Sequence, residues 1–178
     1  DSTLGNMSLL EKIVSALFHS VTARTAGFST VHIGEIAQAT MFFIIGLMFV
    51  GSASISAGGG IRVNTAGVLV ATVLSAISGK ENVTAFGREI SHTQVHRGLA
   101  ITIISASMVF LAAFALTFTE DADFIKILFE TVSAFGTVGL STGITSDLSN
   151  FGRIVIIASM FIGRLGPLTF IFGLIQKE

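Results

Sequence analysis

Two short blocks in this chain carry residues that could hold a bare cation: Thr25-Ala26-Gly27-Phe28-Ser29-Thr30 and Thr137-Val138-Gly139-Leu140-Ser141-Thr142. Placing residue i on residue i+112 makes four of the six positions identical, at Thr, Gly, Ser and Thr. The two differences, Ala26 against Val138 and Phe28 against Leu140, exchange one apolar residue for another. A dehydrated alkali cation needs a shell of oxygens, and backbone carbonyls supply one without a fixed charge that would trap the ion. Turning successive carbonyls the same way demands unusual dihedrals, which Gly27 and Gly139 adopt without a Cβ penalty. The hydroxyls of Thr25 and Thr137 can add an oxygen at the inner end, and Thr-Val-Gly is how the carbonyl filter of potassium channels begins. The candidate ion-binding set is the backbone of Thr25, Ala26, Gly27 and Phe28 with that of Thr137, Val138, Gly139 and Leu140. An ordinary glycine turn would explain one such block. The same block twice, at a fixed offset and in equivalent surroundings, argues for a filter.

A second group of residues could close such a path. Gly58, Gly59 and Gly60 in succession break a helix, since each costs about 1 kcal/mol against Ala in a helix interior. Ser52, Ser54 and Ser56 before them offer hydroxyls to the freed backbone, and Arg62 follows. A flexible cytoplasmic turn is the plain alternative. A nucleotide loop fits less well, because the segment has no G-x-G-x-x-G, no Lys-Ser/Thr pair and no preceding strand. Arg164 falls near the middle of a long apolar tract, where a charge costs at least about 2.5–3.5 kcal/mol on insertion scales. It should face a wet interior, or pair with a buried acid such as Glu35 or Glu130. Pro167 should kink the same span. Glu130, seven residues before Thr137, could instead hold the second block from behind by hydrogen bonding, or simply be solvated.

Composition says what medium must surround these residues. The chain is 51% hydrophobic and 12% charged, about half the charge usual in soluble domains, with a mean hydropathy of +0.84. A small soluble domain needs more polar surface than that, so the expected solvent is membrane lipid. A net charge of −1 gives no electrostatic case for nucleic acid. The absence of cysteine excludes disulfides and thiolate metal sites. His92 and His96 share an i, i+4 spacing but lie in the most charged stretch, which suits a solvated helix face better than a metal site. Histidines outside the clear spans, and no acid pair along one span, leave an intramembrane hydrolase without its chemistry. No enzyme activity and no organic cofactor are expected.

Four apolar tracts set the organisation. Gly98–Thr119 is uncharged over 22 residues, enough to cross a core of about 30 Å. Ile154–Ile175 is equally long, Ile36–Ile55 is shorter, and Val63–Ser78 is shorter still and polar at its start. Phe124–Phe135 is only about 18 Å long as a helix, and Ser8–Ala23 is similar. A half-length helix, a turn and a return strand describe a re-entrant loop, which survives at membrane depth only where protein or water covers it. The expected fold is all-α and integral to the membrane, with tandem helix–re-entrant loop–helix units. The first unit covers 1–78 and lacks its first helix: half-helix about 8–23, filter 24–29, helix about 33–53, glycine loop 54–62, helix about 63–78. A cytoplasmic connection, 79–97, leads to the second unit, 98–178: helix 98–119, half-helix 124–135, filter 136–141, helix about 151–176. Lys80, Arg88 and Arg97 put the connection and the C-terminus inside by the positive-inside rule, whereas the acidic loop after Thr119 lies outside. A piece of a longer chain is expected, since only two such units appear after Asp1. A non-conducting membrane anchor would have no use for duplicated loops.

The segments TARTAGFST (Thr22–Thr30), AGGGIR (Ala57–Arg62), SAFGTVGLSTG (Ser133–Gly143) and GRLGPLTF (Gly163–Phe170) together resemble the KtrB/TrkH/HKT superfamily of potassium transporters, nearest its KtrB branch. The resemblance covers nearly the whole chain and matches the third and fourth pore-loop units. It implies a pseudo-fourfold pore in which an N-terminal half supplies two further loops. It implies K+ as the transported ion, Na+ as an activator or co-ion, a homodimer, and a cytoplasmic nucleotide-binding regulatory ring. The same resemblance makes Ser54, Ser56, Gly58, Gly59, Gly60 and Arg62 an intramembrane gate, with Arg164 in the cavity beneath the filter. A sodium-permeable relative of the HKT type is the main alternative, because the residue that decides it belongs to the first pore loop.

Overall fold

The computed structural model describes residues 8–53, 58–79, 82–85 and 87–166. Within them the chain forms α1 (Leu9–Thr22), α2 (Gln38–Val50), α3 (Val63–Ile77), a hairpin of β1 (Thr84–Ala85) and β2 (Arg88–Glu89), α4 (His92–Thr119), α5 (Phe124–Phe135) and α6 (Asn150–Leu165). The hairpin is antiparallel, with Thr84 opposite Glu89. Short 3-10 turns at Ile33–Glu35 and Ile144–Ser146 follow the two threonine-glycine blocks.

The half-length helix α5 is the hub. It packs against α2, α4 and α6, while α3 lies along α4 and α4 along α6. Every α5 residue from Phe129 to Phe135 is buried, against Ile44 and Met48 of α2 and Val109 of α4 on one side. Leu116 of α4 and Ile156 of α6 belong to the core on the other side. Outside, the pattern inverts. Phe42, Phe43, Phe110, Phe114, Phe118, Ile154, Ile157 and Phe161 are each more than half exposed. An apolar shell of this extent suits lipid rather than water. Among the described residues, α4, with 28 residues, is the helix long and apolar enough to cross a membrane.

In lipid no hydrophobic force draws helices together, so close packing and satisfied polar groups must do so. Small residues sit at the crossings accordingly. Gly163 of α6 lies on the backbone carbonyl of Phe135, and a Cβ there would overlap that oxygen. Gly98 of α4 faces Thr65 and Val68 of α3, which a Cβ would meet at 3.6 and 3.8 Å. Beyond the end of α4, Glu120 accepts hydrogen bonds from the Ser149 backbone N–H (3.0 Å) and from the Ser149 hydroxyl. Ser149 in turn caps α6 by accepting from Gly152 N–H. One carboxylate thus ties the end of α4 to the start of α6.

Three boundaries differ from those read in the sequence, each for a local reason. The helix expected over 98–119 begins at His92, because Val95 is buried and extends the packed face; His92 and His96 stay exposed on it. The helix expected from 33 begins at Gln38, after the 3-10 turn. The last helix, expected over 151–176, ends at Leu165, where Gly166 takes φ +83°. Pro167 and everything after it lie outside the described residues.

Two outcomes follow. Gly163→Ala should destabilise by about 1–3 kcal/mol, as overpacking does, because a backbone carbonyl cannot rotate out of the way. Gly67→Ala, where nothing lies within 4 Å, should stabilise by up to about 1 kcal/mol. Thermal unfolding of both variants in one detergent checks the contrast, and equal melting temperatures would contradict it. The second outcome concerns acid. The Ser149 hydroxyl, more than any other contact, holds the Glu120 carboxyl below its usual range. A depressed pKa stabilises the fold above the ordinary carboxyl range, and that contribution disappears as pH falls through the depressed value. Wild type should therefore lose more stability than Glu120→Gln between about pH 5 and pH 3. Parallel acid profiles would rule out the staple.

Candidate functional site

The backbone of the two threonine-glycine blocks is unusual in the same way twice. Thr25 and Gly27 have φ of +74° and +75°, and Thr137 and Gly139 have +52° and +89°. Ala26 and Val138 between them do not share the positive sign. A β-branched residue at positive φ is a genuine outlier and costs about 1–3 kcal/mol, so its repetition in equivalent positions calls for a cause. The donors supply it. Ala26 and Gly27 N–H both turn back to the Thr22 carbonyl (3.1 and 3.4 Å), Thr137 N–H to Ala134 (3.1 Å) and Val138 N–H to Ser133 (2.9 Å). With these four N–H groups tied to the helix ends, the carbonyls are left over. Among the described residues, none donates to the carbonyls of Thr25, Ala26, Gly27, Thr137, Val138 or Gly139.

The two blocks also meet. A Cβ on Gly139 would lie 3.5 Å from Gly27 Cα, and a Cβ on Gly27 only 2.5 Å from the Val138 oxygen. Phe28 and Leu140, also in the set read in the sequence, differ from the other six in having a hydroxyl donor on their carbonyls. The Phe28 carbonyl accepts from Thr22 Oγ1 at 2.6 Å, and the Leu140 carbonyl from Ser133 Oγ at 2.6 Å. Their oxygens turn back to the hydroxyls on the last turns of α1 and α5, which fixes where each block stops. Six carbonyls, from Thr25 to Gly27 and from Thr137 to Gly139, have no hydrogen-bond donor among the described residues.

Polar side chains brace both blocks from behind. Glu130, buried in α5, accepts from Ser141 Oγ (2.7 Å), Thr142 N–H (2.7 Å), Thr142 Oγ1 (3.0 Å) and Thr145 Oγ1 (2.9 Å). Four donors on one carboxylate satisfy its buried oxygens and fix the turn after the block. In α1 the corresponding support is His19, also buried, whose ring reaches Ser29 Oγ. Sequence reading singled out Glu130 but missed His19, Thr22 and Ser133. Their only signal was a polar residue in the last turns of a half-length helix, ahead of a repeat.

The glycine segment touches both blocks at their first residues. Gly59 N–H donates to Thr137 Oγ1 at 2.8 Å. A Cβ on Gly58 would come within 2.7 Å of Thr25 Cγ2, and one on Gly59 within 2.7 Å of the Phe135 oxygen. At its neck Ile61 N–H reaches Phe49 O (3.2 Å) and Val63 N–H reaches Ser52 O (3.1 Å). Gly51 and Gly60 cross there, both at positive φ. Ser54 and Ser56 lie outside the described residues; Arg62, also at positive φ, precedes α3. Arg164 is not at mid-helix but in the last turn of α6. With Glu130, Ser133, Thr137 and Gly139 it lines a cavity of about 550 Å³ beside the second block. Among the described residues no cluster of His, Asp and Glu could hold a metal ion; carbonyl coordination requires none.

Residues 1–177 match the model of the family described as TrkH, cation transport protein. The chain is 43% identical over 176 residues to Ktr system potassium uptake protein B of Bacillus subtilis (strain 168), covering 99% of this chain and 40% of that protein. It is 36% identical over 179 residues to potassium/sodium uptake protein NtpJ of Enterococcus hirae, covering 98% of this chain and 40% of that protein. The crystal structure of the potassium transporter TrkH from Vibrio parahaemolyticus has a TM-score of 0.79 at 20% identity, over 98% of this chain and 39% of that one. The chain thus spans about two fifths of the length of these relatives. They are transport proteins, not enzymes. With its sequence matched over nearly its whole length and its helical fold shared with a solved transporter, the chain belongs to the TrkH family of cation transport proteins.

Proposed function

We propose that this chain forms half of a potassium-translocation path through a cell membrane. Two re-entrant pore loops present the carbonyls of Thr25–Gly27 and Thr137–Gly139 in place of the water around K+. One observation carries the reading: two blocks with the same alternation of φ touch each other, with four of their N–H groups tied back and six of their oxygens without a donor among the described residues. The C-terminal ends of α1 and α5, the negative ends of their dipoles, add to the attraction. The names of the relatives, which refer to potassium uptake, agree with this ion.

The glycine loop is the gate in this reading. It meets the inner end of the filter, and conduction requires the Gly59–Thr137 bond to break as the loop swings aside. Arg164, at the rim of the adjoining cavity, raises the barrier to a cation there. Residues 79–97 and the C-terminus face the cytoplasm. An N-terminal half with two further loops completes the filter, in a homodimer set on a cytoplasmic nucleotide-binding ring. A second reading, with sodium carried or acting as activator, draws support from the relative named for potassium and sodium uptake.

Two measurements on the full-length protein in vesicles test this reading. Gly27→Ala forces a methyl against the Val138 oxygen at a strained φ, and should cut potassium flux about tenfold or more. Wild-type flux with wild-type preference for potassium over sodium would contradict the filter assignment. Arg164→Ala should raise the flux, by about tenfold if the charge adds 1.4 kcal/mol to the barrier. Unchanged flux and gating would remove Arg164 from the gate.

A further inference from the structure

We infer that His19 is a positioning residue for the first filter block, and that its protonation completes the hydrogen bonds holding the turn after that block. The inference rests on the proposed filter and deepens it.

Donor bookkeeping leads there. His19 Nδ1 lies 2.8 Å from the Ser15 carbonyl. A carbonyl only accepts, so Nδ1 carries a proton. Nε2 lies 3.3 Å from Ser29 Oγ. The Ser29 hydroxyl has one proton and points it at the Val31 carbonyl, 2.5 Å away, while accepting from Val31 N–H at 3.3 Å. In a neutral ring Nε2 is an acceptor, and two acceptors then compete for one hydroxyl proton. The hydroxyl can hold Val31 or His19, not both. With Nε2 protonated, the ring donates to Ser29, Ser29 donates to Val31, and every bond has its proton.

The second block has no such ambiguity. Ser141, which matches Ser29 at the offset of 112, donates to the Glu130 carboxylate, and that anion collects three further donors. One filter block is braced by a fixed acceptor. The other is braced by a side chain type that changes charge between pH 5 and 8. The groups in contact with the His19 ring among the described residues are Ser15, Ser29 and the edge-packed Phe18, none of which titrates in that interval. The titratable and charged groups on the elements beside it are Glu11, Lys12 and Arg24 along and after α1, and His32 and Glu35 beyond Ser29; none of them bonds the ring among the described residues. Acidification should therefore order the Ser29–Val31 turn and with it the outer end of the first block. One hydrogen bond gained or lost corresponds to about a threefold to tenfold change in the braced population.

Rubidium flux through the full-length protein in vesicles, measured between pH 5 and 8, reads this out. Wild type should show a step of about that size. His19→Gln keeps a donor and an acceptor but cannot titrate, and should flatten the step while retaining flux. Ser29→Ala, which leaves His19 in place and removes its partner, should flatten it as well and serves if His19→Gln folds poorly. A step that survives in both variants would overturn the inference. So would a flat wild-type profile with normal flux, leaving the filter reading intact. Absence of rubidium flux from folded wild-type protein at every pH would overturn the filter reading and this inference with it.

Discussion

A peptide oxygen can face a cation only when the groups around it have been arranged to do without it. In an α-helix every interior carbonyl is already engaged, so the chain must leave the helix, and it must do so without stranding N–H groups inside a membrane. The two blocks here meet both demands together. The N–H groups of Ala26, Gly27, Thr137 and Val138 double back onto the last carbonyls of α1 and α5, and positive φ at Thr25, Gly27, Thr137 and Gly139 turns the intervening peptides. The strain at the two threonines remains because neighbouring structure over-determines it. Thr22 and Ser133 end each run by engaging the next carbonyl. Everything else in the fold serves to keep that arrangement in place.

That dependence explains why the shortest helix of the second unit is its most buried. α5 has to be rigid where α6 can be oily. It therefore has α2, α4 and α6 around it, and Gly163 lets α6 lie directly on the carbonyl end of α5. The glycine loop extends the same logic to the inner end. Only residues without a side chain can approach Thr25, Phe135 and Gly136 as closely as Gly58 and Gly59 do. Small residues there therefore give close contact with the two blocks and, on the proposed reading, freedom to move away from them. Around the outside, exposed Phe and Ile side chains on α2, α4 and α6 need only a medium as apolar as themselves.

Much of this was legible in the sequence, for identifiable reasons. The offset of 112 between the blocks was visible because both need glycine at the same place, Gly27 and Gly139, where φ is positive. Half-length helices showed themselves by length alone. Glu130 could be suspected because it is an acid inside a half-length apolar helix, seven residues before Thr137. What could not be read depended on direction. Phe28 and Leu140 looked like filter members by position, yet their oxygens turn back to hydroxyls that lie six or seven residues earlier. Arg164 looked stranded at mid-span because the apolar run continues beyond it, whereas Gly166 ends the helix one residue after Leu165. The solvated helix face read for His92 and His96 is the start of α4, whose extension before Gly98 was hidden because polar residues surround the buried Val95. His19 gave no warning at all: a lone histidine in an apolar stretch is silent until its partner is known.

The repeat is thus symmetric where the ion would sit and asymmetric behind it. Carbonyl geometry leaves little freedom in the first place, while any group that engages Ser29 or Ser141 suffices in the second. The most direct measurement of the central claim is crystallographic. Thallium, an anomalous scatterer that substitutes for potassium, should be diffused into crystals of the full-length protein. The account predicts anomalous peaks on the axis between the carbonyls of Thr25–Gly27 and Thr137–Gly139, lost when sodium replaces potassium in the buffer without thallium. Peaks elsewhere, with those six oxygens facing ordered water or protein donors, would contradict it.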